Sequence, residues 1–404
     1  MSGEDTRART MPPAVVLAVL VLLTVATLLL LAAAVTAVAP GSSMLGSTAS
    51  PNLVGVYGPL LVVLGVVVSV GAWLVRRRRR RTRAVTTVVA AVATVSTLVL
   101  AGAVGAVVTA TLGAGGSIDP LRAVALSGPP EVSAPDAHPV YATGPEGQQL
   151  HLAITRPRAA AGPAPVFVWV HGGGWTTGSE LDRAADMRRL ADAGWLAVSV
   201  EYTLTRPGRP TWDVAGPQVA CALARVAEHA GEYGADPSRI VLGGDSAGGQ
   251  LAVTVGQRAA AGTQPSACAS PVPVPRPRAI ATIYPAVDLA DTYVHGRGAQ
   301  RFAVAYTGAT PEQRPERYRA VTGTDSLRAG GPPVLAVAPS RDRLVPPGGT
   351  SRYVETARGS GVAAERVAIP FADHAFDTGP DGSLGHQAAF SVLAHWAGGQ
   401  VGLG

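Results

Sequence analysis

Lysine is absent from this 404-residue chain, so all 33 of its basic residues are arginines. This is a bias of composition and carries no functional reading. Cysteine occurs only as Cys221 and Cys268, too few for a disulfide framework or a thiolate metal site. Whether the two pair depends on compartment and on how near the fold brings their Cα atoms, and both points stay open here. Charged residues are sparse at 15%, and the excess of +6 is local. Seven arginines lie between Arg76 and Arg83; without them 26 basic residues face 27 acidic ones. The rest of the chain is near neutral, so the basic balance is no sign of nucleic-acid binding. No His, Cys or Asp cluster has the spacing of metal ligands, and neither a metal nor a cofactor is expected.

What the chain does contain, at its start, is long uncharged apolar runs: Ala14–Ala39, Leu53–Val75 and Ala84–Leu112. Each exceeds the roughly 20 residues needed to cross a bilayer core. Arg76–Arg81 cannot lie inside that core, since at about 3 kcal/mol per central arginine six would cost roughly 15–20 kcal/mol. They form a loop between two separate spans. The positive-inside rule puts this loop in the cytoplasm, with Arg7 and Arg9 on the same side, while the loop from Pro40 to Asn52 is uncharged. Three spans then deliver the chain beyond Leu112 to the extracytoplasmic face of a cell membrane. Ala37-Val38-Ala39 resembles a signal-peptidase site, but the apolar run is longer than a usual signal sequence and reads as an uncleaved span.

Residues 113–139 are rich in Gly, Pro, Ala and Ser and read as a linker or loose stalk. Residues 140–404 read as one catalytic domain. Leu150–Thr155, Val166–Val170, Trp195–Val200, Ile240–Leu242, Ala279–Tyr284, Val334–Ala338 and Val367–Ile369 have strand patterns. Asp182–Ala193, Val214–Tyr233, the segment after Ser246 and His386–Ala397 have helical ones. This alternation predicts an α/β fold with a mostly parallel sheet covered on both faces. Thr263–Arg278 is Pro-rich and reads as a surface excursion. Asp288–Gly331 is too long for a simple crossover, and is either a partial lid carrying Phe302, Tyr306 and Tyr318 or ordinary helical packing.

Gly244-Asp245-Ser246-Ala247-Gly248 follows an apolar β-branched run and precedes a helix-permissive one. Gly-x-Ser-x-Gly at such a junction is a nucleophile elbow, exposing Ser246 at a helix N-terminus. His171-Gly172-Gly173-Gly174-Trp175 also follows a buried strand. Its spacing fits no Walker or dinucleotide fingerprint, but its small residues can bring N–H groups to a tetrahedral oxyanion. Gly172 and Gly173, with Ala247 after the serine, are the expected donors, each worth roughly 3–4 kcal/mol in the transition state. His171 is read as ordering its loop rather than as the base. An acid and a histidine should follow the serine in that order. Asp342 and His374 do so, each in a loop just beyond a strand. Asp373 and Asp377, too near His374 to face it, read as solvated carboxylates. Ser246 would attack an acyl carbon, His374 would carry the proton, and Asp342 would orient the imidazole.

His171–Trp175, Tyr233–Ile240 and Gly244–Gly249 together resemble the α/β-hydrolase fold. The likeness is to hormone-sensitive-lipase-like and feruloyl-esterase-like carboxylesterases, and it covers roughly residues 140–400. It implies a serine esterase acting on a small or moderate acyl ester. Glu201-Tyr202-Thr203-Leu204 departs from the Asp-Tyr-Arg-Leu common in that family. Asp342-Arg343-Leu344-Val345-Pro346 replaces the Asp-Pro-Leu of the lipase-like branch and tilts toward the feruloyl-esterase-like side. Asp213 resembles a structural aspartate of the family. The expected partners are an acyl ester and the lipid bilayer, with no nucleic acid. Two alternatives stand beside this reading: an amidase, peptidase or arylformamidase-like activity on the same residues, and an inactive membrane sensor or scaffold. The retention of Ser246, Asp342 and His374 together argues against the last.

Overall fold

The computed structural model describes residues 12–39, 52–78, 82–128, 134–158 and 162–403. The uncharged apolar runs form three long helices, α1 (Pro13–Val38), α2 (Leu53–Arg78) and α3 (Arg83–Gly113). All three are long and apolar enough to cross a membrane. α2 runs past the expected Val75 and takes Arg76–Arg78 into its last turn, where cations complement the helix C-terminus. Arg79–Arg81 lie outside the described residues. α2 and α3 approach closely because small residues meet at their seam: a Cβ on Gly65 would collide with the Thr97 side chain. Along the same seam Trp73 Nε1 donates to Thr94 Oγ1 at 3.2 Å, and Arg76 Nε to Thr87 Oγ1 at 2.8 Å. These polar groups are satisfied by one another across the seam.

The segment expected to be a loose linker holds a short helix, α4 (Pro120–Ala125). Asp119 caps it by accepting from the N–H groups of Leu121 and Arg122 at 2.9 and 3.1 Å. An aspartate followed by proline is a cap and a first helical position in succession, a local signal that the Gly- and Pro-rich composition obscured. The stretch is also pinned to the last helix, since Asp119 N–H donates to Gln387 Oε1 at 2.6 Å and Ser117 N–H to Ser391 Oγ at 2.9 Å.

The strands are β1 (Val140–Thr143), β2 (Gln149–Thr155), β3 (Ala164–Val170), β4 (Leu196–Val200), β5 (Ala235–Asp245), β6 (Ala279–Ile283), β7 (Val334–Pro339) and β8 (Ala364–Ile369). They form one sheet in the order β1-β2-β4-β3-β5-β6-β7-β8. β2 pairs antiparallel with β1 and β4, and every pairing from β4 to β8 is parallel. β5 is longer than the expected Ile240–Leu242 and begins at Ala235. The helices of this domain are α5 (Ala184–Asp192), α6 (Ala215–His229), α7 (Ser246–Ala260), α8 (Leu289–His295), α9 (Gln300–Thr307), α10 (Pro315–Thr322), α11 (Pro347–Gly359) and α12 (Leu384–Val401).

Every residue of β3 is buried, because the sheet is covered on both sides. Val166, Val168 and Val170 face a core shared with α6, α7 and α11. Phe167 and Trp169 face the opposite core, built from α5 and α12. That second cluster also takes in Val54 of α2 and Leu100, Ala103 and Val107 of α3. The α/β domain therefore rests on the three-helix bundle through its α12 face. On the other side, Cys221 in α6 and Cys268 in the Pro-rich excursion form a disulfide, with their Cα atoms 5.0 Å apart. This closes the question that the sequence left open.

Candidate active site

Ser246 directly follows β5 and opens α7 with φ +51°, a left-handed conformation that costs a non-glycine residue of order 1–3 kcal/mol. The turn is forced by the contact beneath it: a Cβ on Gly248 would collide with the Val170 carbonyl, and one on Gly244 would stand 2.5 Å from the same oxygen. Only glycine lets α7 start directly against the end of β3. Ser246 Oγ lies 2.9 Å from His374 Nε2, and His374 Nδ1 lies 2.8 Å from Asp342 Oδ2. A carboxylate can only accept, so Nδ1–H donates to Asp342 and Nε2 turns its lone pair to the serine. The other oxygen, Asp342 Oδ1, accepts from the N–H groups of Leu344 and Val345 at 3.0 and 2.7 Å.

Burial alone would depress His374. The charge and hydrogen bond of Asp342 reverse this, aided by Asp245 and Asp373, and the imidazole pKa lies above its ordinary 6.5. Beside this chain runs a buried network that sequence reasoning missed. Arg183 pairs with Asp377 at 2.7 Å and with Asp245 at 3.5 Å. The Tyr284 hydroxyl donates to Asp377, and its ring centroid lies 4.5 Å from that of His374. Burial first, and the Asp377 charge after it, hold Asp245 above the usual carboxylate range against the pull of Arg183.

The glycine loop departs from expectation at one position. The Gly172 N–H donates to Asp245 Oδ1 at 3.0 Å, and Gly172 does not line the cavity above Ser246. Gly173 and Gly174 do line it, and neither N–H is engaged by another group among the described residues. Ala247 lies in the first turn of α7, where N–H groups lack partners within the helix. The remaining loop residues build rather than react. His171 Nδ1 is 2.8 Å from the Gly172 carbonyl, and its ring stacks on Tyr202. Trp175 Nε1 donates to Gln250 Oε1 at 3.1 Å.

Asp373 and Asp377 are buried, contrary to the expectation of solvated carboxylates. Arg343 reaches Asp373 and Arg183 reaches Asp377 from loops distant in sequence, so no local pattern reveals either pairing. Of Phe302, Tyr306 and Tyr318, the aromatics expected on a partial lid, Phe302 lines the cavity. Tyr306 instead stacks on Trp175 at 4.3 Å, and the buried Tyr318 hydroxyl donates to the Ala309 carbonyl at 2.8 Å. The cavity measures about 280 Å³, and Leu289, Phe302, Leu344 and Val345 give it apolar walls around Ser246 and His374. Its chemistry is that of a hydroxyl with a base in reach, facing an apolar chamber with idle N–H donors.

A family profile described as BD-FAE matches residues 152–356, a span that contains Ser246 and Asp342 and ends before His374. Among curated proteins, the chain is 30% identical over 240 residues to Esterase LipQ of Mycobacterium tuberculosis, covering 58% of this chain and 56% of that one. To Esterase LipC of the same organism it is 28% identical over 225 residues, covering 53% and 54%. The chain thus spans about half the length of the curated relatives it matches. Among solved structures, esterase 2 of Thermogutta terrifontis phosphoramylated by tabun superposes with a TM-score of 0.55 at 23% identity, covering 66% of this chain and 95% of that one. A propionate-bound form of the same esterase gives a TM-score of 0.54 at 24% identity, covering 66% and 95%. At such identities the likeness is one of fold. The chain belongs to the BD-FAE family and has the α/β-hydrolase fold.

Proposed function

We propose that the protein is a membrane-anchored serine carboxylesterase. Ser246 Oγ attacks the acyl carbon while its proton passes to His374 Nε2. The imidazolium, oriented and stabilised by Asp342, gives that proton to the departing alcohol. Water, deprotonated by the same nitrogen, then releases the acid from the acyl-enzyme. The N–H groups of Gly173, Gly174 and Ala247 hold the oxyanion of both tetrahedral intermediates. The observation that carries this reading is the unbroken Ser246–His374–Asp342 chain of hydrogen bonds, 2.9 and 2.8 Å, opening onto the apolar cavity. A chamber of about 280 Å³ suits a small or moderate acyl group better than a long one. The names of LipQ and LipC support an ester rather than an amide substrate.

The bundle of α1–α3 is read as residues 1–112, the connecting stretch as 113–139 and the catalytic domain as 140–404. Outward-facing Leu17, Leu22, Leu29, Val67 and Leu98 are all exposed, which favours lipid around the bundle. The arginines that follow α2 belong on the cytoplasmic side, which leaves the catalytic domain outside the cytoplasm. The Cys221–Cys268 disulfide supports that side, since such bonds persist in oxidising compartments. The burial of Leu30, Ala33, Ala34 and Ala37 in the bundle supports α1 as a retained span rather than a cleaved signal.

A panel of nitrophenyl esters of increasing chain length, beside the matching anilides, tests the activity on wild type and Ser246→Ala. Hydrolysis of short esters by wild type alone is expected. Anilide turnover equal to ester turnover would instead favour the amidase reading.

A further inference from the structure

The helix bundle reaches both loops that carry the base and its acid. Asn52, immediately before α2, is buried against the histidine loop. Its Nδ2 donates to the His374 carbonyl at 2.9 Å, and its Oδ1 accepts from the Asp373 N–H at 3.0 Å. An amide that donates to one residue and accepts from its neighbour fixes both the position and the twist of the backbone between them. Nearby, Arg341 Nη1 donates to the Ala37 carbonyl in the last turn of α1, and its guanidinium lies over the Phe371 ring at 4.6 Å. Arg341 adjoins Asp342, and Phe371 leads into His374. Asp373 then ties the two loops together, accepting at Oδ1 from the N–H groups of Arg343 and His374 at 2.8 and 2.7 Å.

The histidine loop needs such support. Phe371 and Ala375 hold φ values of +57° and +58°, left-handed conformations that persist only where the surroundings over-determine them. Ser246 is strained too, but the sheet and the glycine contacts below it supply the constraint. For His374 the corresponding constraint comes in part from Asn52, across more than three hundred residues of sequence.

We infer that Asn52 is a positioning residue for the proposed reaction, so that the membrane bundle is a working part of the active site as well as its anchor. This rests on the esterase reading above. A base displaced by about 1 Å can cost on the order of 100-fold in rate. The test uses the full chain in detergent or in nanodiscs. Asn52→Ala should lower kcat for a short nitrophenyl ester by about 10- to 100-fold, with KM changed less than about threefold. Asn52→Asp keeps the acceptor, loses the donor and adds a carboxylate beside His374. The groups already facing that imidazole are Asp342, Asp373, Asp245 and Tyr284, with Arg343 behind Asp373. One further negative charge should move the acid limb of kcat/KM to higher pH as well as lower kcat.

Both Asn52 variants are run beside Ser246→Ala. A kcat within twofold of wild type for Asn52→Ala overturns the inference. So does an unchanged rate and pH profile for Asn52→Asp, which decides alone where the alanine variant does not fold. Ester hydrolysis that survives Ser246→Ala overturns Ser246 as the nucleophile of the proposed reaction, and the inference with it. An absence of ester hydrolysis by wild type overturns the esterase reading itself.

Discussion

The serine side and the histidine side of the candidate active site are held by different parts of the molecule. Ser246 stands at the junction of β5 and α7, wedged against the end of β3 by Gly244 and Gly248, and its surroundings lie within the sheet and α7. His374 and Asp342 stand on loops beyond β8 and β7, tied through Arg341, Asp373 and Asn52 to the apolar helices. The serine side is a local device, specified by five successive residues. The histidine side is assembled from groups hundreds of residues apart, and its precision depends on how the domain sits on the bundle.

The largest effect is expected on the histidine side. Asp342→Asn should lower kcat by about 10⁴-fold, because the imidazole loses the acceptor that fixes its tautomer. The same change removes the main influence holding the His374 pKa above 6.5 and leaves burial opposed only by Asp245 and Asp373. His374 must be neutral to take the serine proton. Wild-type kcat/KM should therefore fall as pH drops through that raised pKa, and in Asp342→Asn the acid limb should move to lower pH. A pH–rate profile checks both, and a limb that stays in place would mean that Asp342 does not set the imidazole.

A second expectation concerns stability away from the site. Cys221→Ser opens a disulfide whose cysteines are separated by 47 residues, and should cost about 2–4 kcal/mol by denaturant titration while leaving kcat near wild type. A matching loss of kcat would show that the α6 face and the catalytic face are coupled. Gly248→Ala probes the serine side more directly. Its Cβ would press on the Val170 and His171 carbonyls, an overpacking worth about 1–3 kcal/mol, and should lower Tm and activity together. The smallest effect is expected at the cavity wall. Phe302→Ala enlarges the chamber and should shift the preferred ester to a longer acyl chain by a factor of about 10, read as a ratio of kcat/KM values.

The same division explains what the sequence made legible. Ser246, the glycine loop and the strand ends carrying Asp342 and His374 follow from motifs and from apolar runs of strand length. The three helices α1–α3 follow from hydropathy alone. The Gly172 N–H was legible only as one of several loop donors, because its engagement by Asp245 depends on how two strand ends meet. Arg183, Tyr284 and Asp377 left no local signal, since each acquires its role from a partner on a distant element. Asn52 lies at the edge of an apolar run and looks like any polar residue bounding a span. Asp119-Pro120 is the exception, for it carried a local cap signal that composition hid.

The most direct measurement is covalent labelling of the full-length protein with a fluorophosphonate, followed by peptide mass spectrometry. A single adduct on the peptide carrying Ser246, forming in step with loss of ester hydrolysis and slowed strongly in His374→Ala, is the result expected. Inhibition with the adduct on another residue, or hydrolysis that continues once Ser246 is fully labelled, would contradict Ser246 as the nucleophile.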